Sequence, residues 1–574
     1  MTKQELTALI HTATHKEKAD IVFKNANVVD VFQHTIVKAD VAIKGKYIVG
    51  LGSFEGEKEV DCEGKYIVPG YIDSHIHVES SYLSPEELGK ILVPHGTSTI
   101  IADPHEIVNV CGITGFKYML NAAKHTALDI KYMLPSCVPA TPFETSGAVI
   151  NAADMEEPIN YENVLGLGEF MNYPGIINAD SATLDKIMVA FKNNKLIDGH
   201  SPGVKGDDLT AYLCARIHTD HECSSLEEMN ARLSAGVYVL LRQGTACHDL
   251  VNLLKGVTVY NSRRCLLCSD DRHPKTVFEC GHIDNHLRLC VQNGIDPITA
   301  IQMATINAAE CFRLSDRGAI APGLLADIAV LDNLEDFNCE EMYMEGVLVA
   351  KDGKYLPHTE KYPIDSVMGT VVVKDFSKKK LALKLSSDDA IVIELLPGGV
   401  LTKKTVEHVK RNEKGEFVYD PNKDVVKVAV VERHKGTGNV AVGLLKGFGL
   451  KHGAIAQSIA HDSHNIIVVG ISDDEMEKAV EALIKQQGGV VLVKDGKVLE
   501  SIPMPIGGIM SDKDGREIAK ELEVFNKRAF DELKISKSVE PIMTLGFMSL
   551  AVIPEIKLTD KGLFDVTKFT YITQ

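Results

Sequence analysis

The chain has 574 residues, 45% hydrophobic and 24% charged, ordinary proportions for a soluble globular protein but too long for one domain, so two to four domains are expected. Its net charge of −18, from 61 basic and 79 acidic residues, argues against an electrostatic nucleic-acid footprint. No apolar run is long enough to cross a bilayer, the N-terminus has no apolar signal core, and the 12 cysteines are scattered, so no membrane association and a reducing, cytoplasmic location are expected.

In chain order, residues 1–18 are polar and read as a helical lead-in. From 19 to 67 short strands are broken by turns, with a tight hairpin at Lys44-Gly45-Lys46. Apolar strands then alternate with helical stretches, the pattern of a parallel α/β fold. Strands are expected at 70–77, 97–103, 130–135, 164–170, 195–200, 215–221, 237–242 and 263–270. Helices are expected at 85–94, 181–193 and 225–235, the last capped by Ser224 or Ser225 with Glu227 and Glu228 in its first turn. Eight such units over roughly 250 residues match a (β/α)8 barrel of the TIM type in count and size. Residues 318–332 and 345–354 return to a β pattern resembling the stretch around Lys44, and the two β stretches, split by the barrel, are expected to form one composite β-sandwich. From about 375 an additional α/β domain is expected, with strands at 426–432 and 465–470, a helix at 473–487 and a hairpin at 490–498. The expected division is 1–68 for the lead-in and first part of the sandwich, 69–320 for the barrel, 321–374 for the second part of the sandwich, and 375–574 for the C-terminal domain.

Catalytic groups of such barrels sit at the C-terminal ends of the strands. His75 and His77 end the first strand, and i, i+2 side chains share one face, so two imidazoles can grip one metal ion. Glu169 ends the fourth strand, His200 the fifth, His221 the sixth and Asp270 the eighth. Four imidazoles and two carboxylates suit two divalent metals: His75, His77 and Asp270 for one, His200 and His221 for the other, Glu169 between them. Taken singly, each has a structural reading, such as a hydrogen-bonded histidine or a helix cap; six in phase with eight strands favour the metal centre. Asp270 is the expected general base, and Glu222 and Asp271 are candidates to protonate the substrate. His105, Glu106, Arg242 and Arg272 are candidate substrate contacts; helix capping is the alternative for His105 and Glu106, an ion pair with a barrel carboxylate for Arg242, and for Arg272, with His273 beside it, stabilising the loop after the eighth strand. Glu144 is a candidate lid residue, and His461, Asp462, His464 and Asn465 crowd the start of a strand, where the C-terminal domain is expected to pack over the barrel mouth. Cys265 and Cys268 have redox or zinc spacing but lie in an apolar run without a second pair, and read as buried thiols.

The segments 69–81, 102–110, 198–203, 219–222, 269–274, 281–284 and 459–465 together resemble the bacterial-type adenine deaminases of the amidohydrolase superfamily over nearly the whole chain. That resemblance implies purine salvage: hydrolysis of adenine to hypoxanthine and ammonia, with two manganese or iron ions (zinc is compatible) and a hydroxide shared between them attacking C6 while Asp270 moves the proton. The expected partner is a purine base, and a homo-oligomer is expected, a dimer first. Related cyclic-amide hydrolases use a carboxylated lysine on the fourth strand, where this chain has Glu169 and no lysine. An N-acetyl-sugar deacetylase or another aminopurine deaminase stays open as an alternative, with a non-enzymatic scaffold last.

Overall fold

The computed structural model describes residues 1–573. Eight parallel strands form the barrel: β1 (Tyr71–Ile76), β2 (Thr97–Ala102), β3 (Asp129–Leu134), β4 (Val164–Phe170), β5 (Leu196–Gly199), β6 (Thr219–Asp220), β7 (Tyr238–Arg242) and β8 (Cys265–Cys268). β1 to β5 pair in sequence order, as do β6 to β8. Two seams close the ring. The His218 N–H donates to the Ile197 carbonyl at 2.9 Å between β5 and β6, and the Asp270 N–H donates to the His75 carbonyl at 2.9 Å between β8 and β1. The second seam carries Asp270 to the two histidines of β1. β6 is shorter than the expected 215–221, because the preceding helix runs to Cys214 and Arg216 turns the chain through a left-handed φ of 57° before the strand can start.

Inward-facing Ile72, Ile101, Met133, Leu196, Leu240 and Leu266 fill the floor of the barrel, and Ala308, Ala309, Cys311 and Phe312 plug it from below. Cys265 and Cys268 are buried free thiols in β8. The helix Leu226–Ser234 starts at Ser225, which accepts from the Glu228 N–H while the Glu228 side chain reaches back to the cap.

The strands before and after the barrel belong to one nine-stranded sheet, joined where Tyr66–Pro69 pairs antiparallel with Ile328–Leu331. The sheet closes on its own apolar core. Phe23 and Val41 from its first part meet Ile328 and Tyr343 from its second, with the Phe23 and Tyr343 rings edge to face at 4.9 Å.

The C-terminal region is built on an eight-stranded sheet whose central strand, Val425–Val431, is buried along its whole length. Period two explains how. Ala429 and Val431 face a helix, Asp473–Gln486, that begins at the cap Ser472 and packs Met476, Ala479, Val480 and Leu483 on them. Val426, Val428 and Val430 face the other way, into an apolar core continuous with the barrel. A long helix, Gly515–Glu532, adds Ile518, Leu522 and Phe525 to that same core, beside Leu83, Leu88 and Ile91 of the barrel. Because this core is shared, a protein truncated at residue 375 is expected to expose it and aggregate. Gel filtration checks this, and a monodisperse truncated barrel would contradict it.

Candidate active site

Both β1 histidines have their Nδ1 atoms occupied. His75 Nδ1 lies 3.1 Å from Asp198 Oδ2, and His77 Nδ1 lies 2.9 Å from the Asp103 carbonyl oxygen. A carboxylate and a carbonyl only accept, so each Nδ1 carries the hydrogen and each Nε2 is left to present its lone pair. The two Nε2 atoms face each other at 3.3 Å. Asp270 Oδ1 lies 3.1 Å from His77 Nε2 and 4.0 Å from His75 Nε2. Two facing lone pairs beside a carboxylate form a group that could hold a cation. Asp73, one step earlier on the same face of β1, accepts from the Ser269 N–H at 3.0 Å and so pins the end of β8 against β1.

Glu169 lies between two groups of imidazoles. Its Oε1 is 3.4 Å from His77 Nε2 and 3.3 Å from His105 Nδ1, and its Oε2 is 2.7 Å from His200 Nδ1 and 3.2 Å from His221 Nε2. Its own N–H donates to Asp103 Oδ2 at 2.7 Å, which fixes the end of β4. The His75 and His221 rings stack at 4.0 Å, so the ligand groups from β1 and β6 are in direct contact. Burial would raise the Glu169 pKa, but His200 and His221 outweigh it and hold the carboxyl well below its usual range. His221 Nδ1 and Asp103 Oδ1 are buried without hydrogen-bond partners. Imidazole nitrogens and carboxylate oxygens converging from β1, β4, β5, β6 and β8 are a donor set that fits divalent cations of the zinc, manganese and iron type.

The rim opens into a cavity of about 650 Å³. His77, Glu169, His200, His221 and Asp270 line it, as do Glu222, Asp271, His105, Glu106 and Arg242. Arg242 is the hub of an ion network, 3.0 Å from Asp270 Oδ2, 2.9 Å from Asp249 Oδ2, and bonded to Glu222. Its charge is thus spent on barrel carboxylates, the ion-pair alternative. Asp271 accepts from the Ser80 hydroxyl. His105 and Glu106 open the helix His105–Ala122, but neither caps it: Pro104 holds the cap position, and both side chains turn inward. Glu106 accepts from His461 Nδ1 and His464 Nε2 of the C-terminal domain.

Two expectations need correction. Arg272 does not reach the cavity, because its guanidinium donates to the carbonyls of Gln243 (3.0 Å), Gly244 (3.3 Å) and Gly281 (2.6 Å) and braces the loop after β8. Glu144 is not on a free lid. Thr145 N–H donates to Asp560 at 2.8 Å, Asn465 Nδ2 donates to the Thr145 carbonyl at 2.8 Å, and the Phe143 ring packs on Phe564 at 4.7 Å, so the C-terminal domain clamps that loop. Burial first, then the Asp462 charge, push the Glu144 carboxyl up to about 8. His273 is likewise set aside, within 3.0 Å of the Tyr82 hydroxyl.

Asp198 and Asp103, which orient the β1 histidines, were not singled out from the sequence. Each lies two residues before a candidate histidine, His200 and His105, so the period-two rule could have found both. No such signal marks Pro397, Val400, Leu401, Phe547, Leu550 and Ile553, which wall the cavity from the C-terminal domain.

Residues 66–356 match the amidohydrolase family, and residues 399–570 match the adenine deaminase C-terminal domain. The chain is 60% identical over 573 residues to adenine deaminase 2 of Desulfotalea psychrophila, covering 100% of both chains. It is 51% identical over 574 residues to an adenine deaminase of Ligilactobacillus salivarius, covering 100% of this chain and 99% of that one. It is 46% identical over 568 residues to an adenine deaminase of Nitratidesulfovibrio vulgaris, covering 99% of this chain and 98% of that one. With matches that run from end to end and a rim built of imidazoles and carboxylates, the chain belongs to the adenine deaminase family of amidohydrolases.

Proposed function

We propose that the chain hydrolyses adenine to hypoxanthine and ammonia, the reaction named for its full-length relatives. The observation that carries the chemistry is the pair of facing Nε2 atoms with Glu169 directing one oxygen to each side of the rim. In this reading His75, His77 and Asp270 would hold one divalent cation and His200 and His221 the other, with Glu169 placed to serve both. Manganese or iron is proposed, with zinc compatible with the same donors. When bound, the pair supplies an activated water and a charge that polarises the electrophile. Asp270 is anchored through Oδ2 on Arg242, so its other oxygen stays on the reacting side, where it takes a proton from the nucleophile and returns it to the departing amine. Arg242 fixes Glu222 and Ser80 fixes Asp271, the two candidates to protonate a ring nitrogen. His105 lies beside Glu169 on the side of the C-terminal domain, its Nδ1 3.3 Å from Oε1.

The same reading places the reaction in purine salvage in the cytoplasm, in a homodimer, with the domain division 1–68, 69–320, 321–374 and 375–574. Support for the division is that the sheet joining residues 66–69 to 328–331 encloses the barrel in sequence. Ammonia release from adenine, adenosine and guanine, with acetate release from N-acetylglucosamine 6-phosphate, tests the function. Adenine alone is expected to react, and acetate release in its place would overturn the assignment.

Removing metal with a chelator is expected to abolish ammonia release and to lower the thermal midpoint, because the facing Nε2 lone pairs and Glu169 lose their common partner. A cation held at a thousandfold excess over its Kd stabilises a fold by about 4 kcal/mol. Two equivalents of Mn²⁺ should restore both properties. Calorimetry alongside activity checks this, and an unchanged midpoint would count against a metal site here.

A further inference from the structure

The cavity has two chemically different walls. The barrel supplies the ligand groups, and the C-terminal domain supplies apolar Leu401, Phe547 and Leu550 around two polar residues, His461 and Asp462. The His461 ring stacks on Phe547, centroids 4.7 Å apart and planes 17° from parallel, and its Nδ1 is bonded to Glu106 Oε1. His464 Nε2 holds the other Glu106 oxygen, while His464 Nδ1 accepts the Ala460 N–H at 3.0 Å. That backbone donor leaves His464 as the Nε2–H tautomer, a donor to Glu106 with no lone pair to give a cation there. Glu106, His461 and His464 are therefore a hydrogen-bonded clamp and not a third metal site. The clamp aims His461, whose Nε2 bonds to no described residue and borders the cavity. Burial disfavours charge on this ring, but Glu106 outweighs it and raises the imidazole to about 9, so Nε2 carries a hydrogen at neutral pH. The other unspent imidazole on the wall, His248, is itself exposed, with its Nδ1 2.9 Å from the Gln243 amide nitrogen, and is not clamped between buried groups in this way.

Asp462, the next residue, is 3% exposed, and its Oδ2 is sealed from the cavity with no hydrogen-bond partner. Its other oxygen is 3.8 Å from His105 Nε2, which in turn reaches Glu169 through Nδ1 at 3.3 Å. That second oxygen, Oδ1, has no hydrogen bond to a described residue, and a carboxylate short of donors at a cavity wall favours a ligand that brings one. The C-terminal domain thus offers one directed donor and one unpaired acceptor, from adjacent residues of the cavity wall it supplies.

A purine turned with C6 toward Glu169 and Asp270 presents its N3/N9 edge to the opposite wall. In the free base that edge offers one acceptor, N3, and one donor, N9–H. We propose that His461 and Asp462 form the subsite that reads this edge, with His461 Nε2–H donating to N3 and Asp462 Oδ1 accepting from N9–H, so that the free base is taken and N9-substituted adenines are refused. This rests on the deaminase reading above and adds the residues that decide base against nucleoside.

Metal-loaded full-length protein is assayed with adenine, 9-methyladenine and 3-deazaadenine, and metal content is measured for every variant. Wild type should prefer adenine over 9-methyladenine by at least about 100-fold in kcat/KM, as expected for a buried polar group left unpaired. Asp462→Ala should lower kcat/KM for adenine by about 10- to 100-fold, the worth of a hydrogen bond to a charged group, and leave 9-methyladenine unchanged, so the preference collapses. His461→Ala should in the same way erase the preference for adenine over 3-deazaadenine. If the alanine variant of Asp462 fails to fold, the isosteric Asp462→Asn should still narrow the first preference by at least about threefold, since a neutral amide accepts more weakly. Unchanged preferences, or activity that falls in step with metal content, would overturn the subsite. A metal-loaded wild type that releases no ammonia from adenine would instead refute the deaminase reading itself.

Discussion

Glu169→Gln is expected to lower kcat/KM for adenine by about 10³-fold or more, a larger loss than the 10–100-fold cost of disturbing only the groups that orient a ligand. The change keeps the shape of the side chain and replaces one oxygen by an NH2 group, which donates where a cation needs an acceptor. Whichever side the amide nitrogen takes, one group of histidines loses its shared carboxylate. Oε1 faces His77 and His105, and Oε2 faces His200 and His221. Metal content should fall from two ions per chain to one or fewer, measured by elemental analysis beside steady-state kinetics. A variant that keeps both ions and stays within tenfold of wild type would remove Glu169 from the centre of the site, and the two-cation reading with it.

Glu106→Ala is expected to lower the unfolding free energy by about 3–5 kcal/mol, the usual cost of leaving a buried charge without its partner. Glu106 is 2% exposed and joins the barrel helix His105–Ala122 to two imidazoles of the C-terminal domain. Its loss leaves the His461 and His464 donors without an acceptor in a buried space, and burial, no longer opposed by Glu106, drives the proton off His461. Glu106→Gln keeps one acceptor oxygen and should cost less, about 1–2 kcal/mol. Chemical denaturation followed by circular dichroism checks both. A loss below 1 kcal/mol for the alanine variant would show that the shared apolar core holds the two domains together without this clamp.

The ligand groups of the rim could be read from the chain because each obeys a local rule. His75 and His77 share a face by strand periodicity, and Glu169, His200, His221 and Asp270 follow apolar runs whose lengths mark strand ends. The two expectations that failed lie beyond those ends, where periodicity stops. Arg272 sits two residues past Asp270 in sequence, yet its direction is set by three backbone carbonyls that no spacing announces. Glu144 sits in a loop with the composition of a lid, yet Asp560 and Asn465, more than 300 residues away in sequence, hold it shut.

The order of strands and helices, the rim histidines and carboxylates, and the acidic surface were already determined by the sequence alone. These follow from side-chain period, hydrophobic length and charge, which act over a few residues. Tertiary structure alone decided which nitrogen of each imidazole is free, that Arg242 is spent on carboxylates, and that His461 and Asp462 cross from a distant domain to border the cavity. The physical reason is that a hydrogen-bond partner or a cavity wall depends on position in space, and positions brought together by packing leave no trace in local spacing.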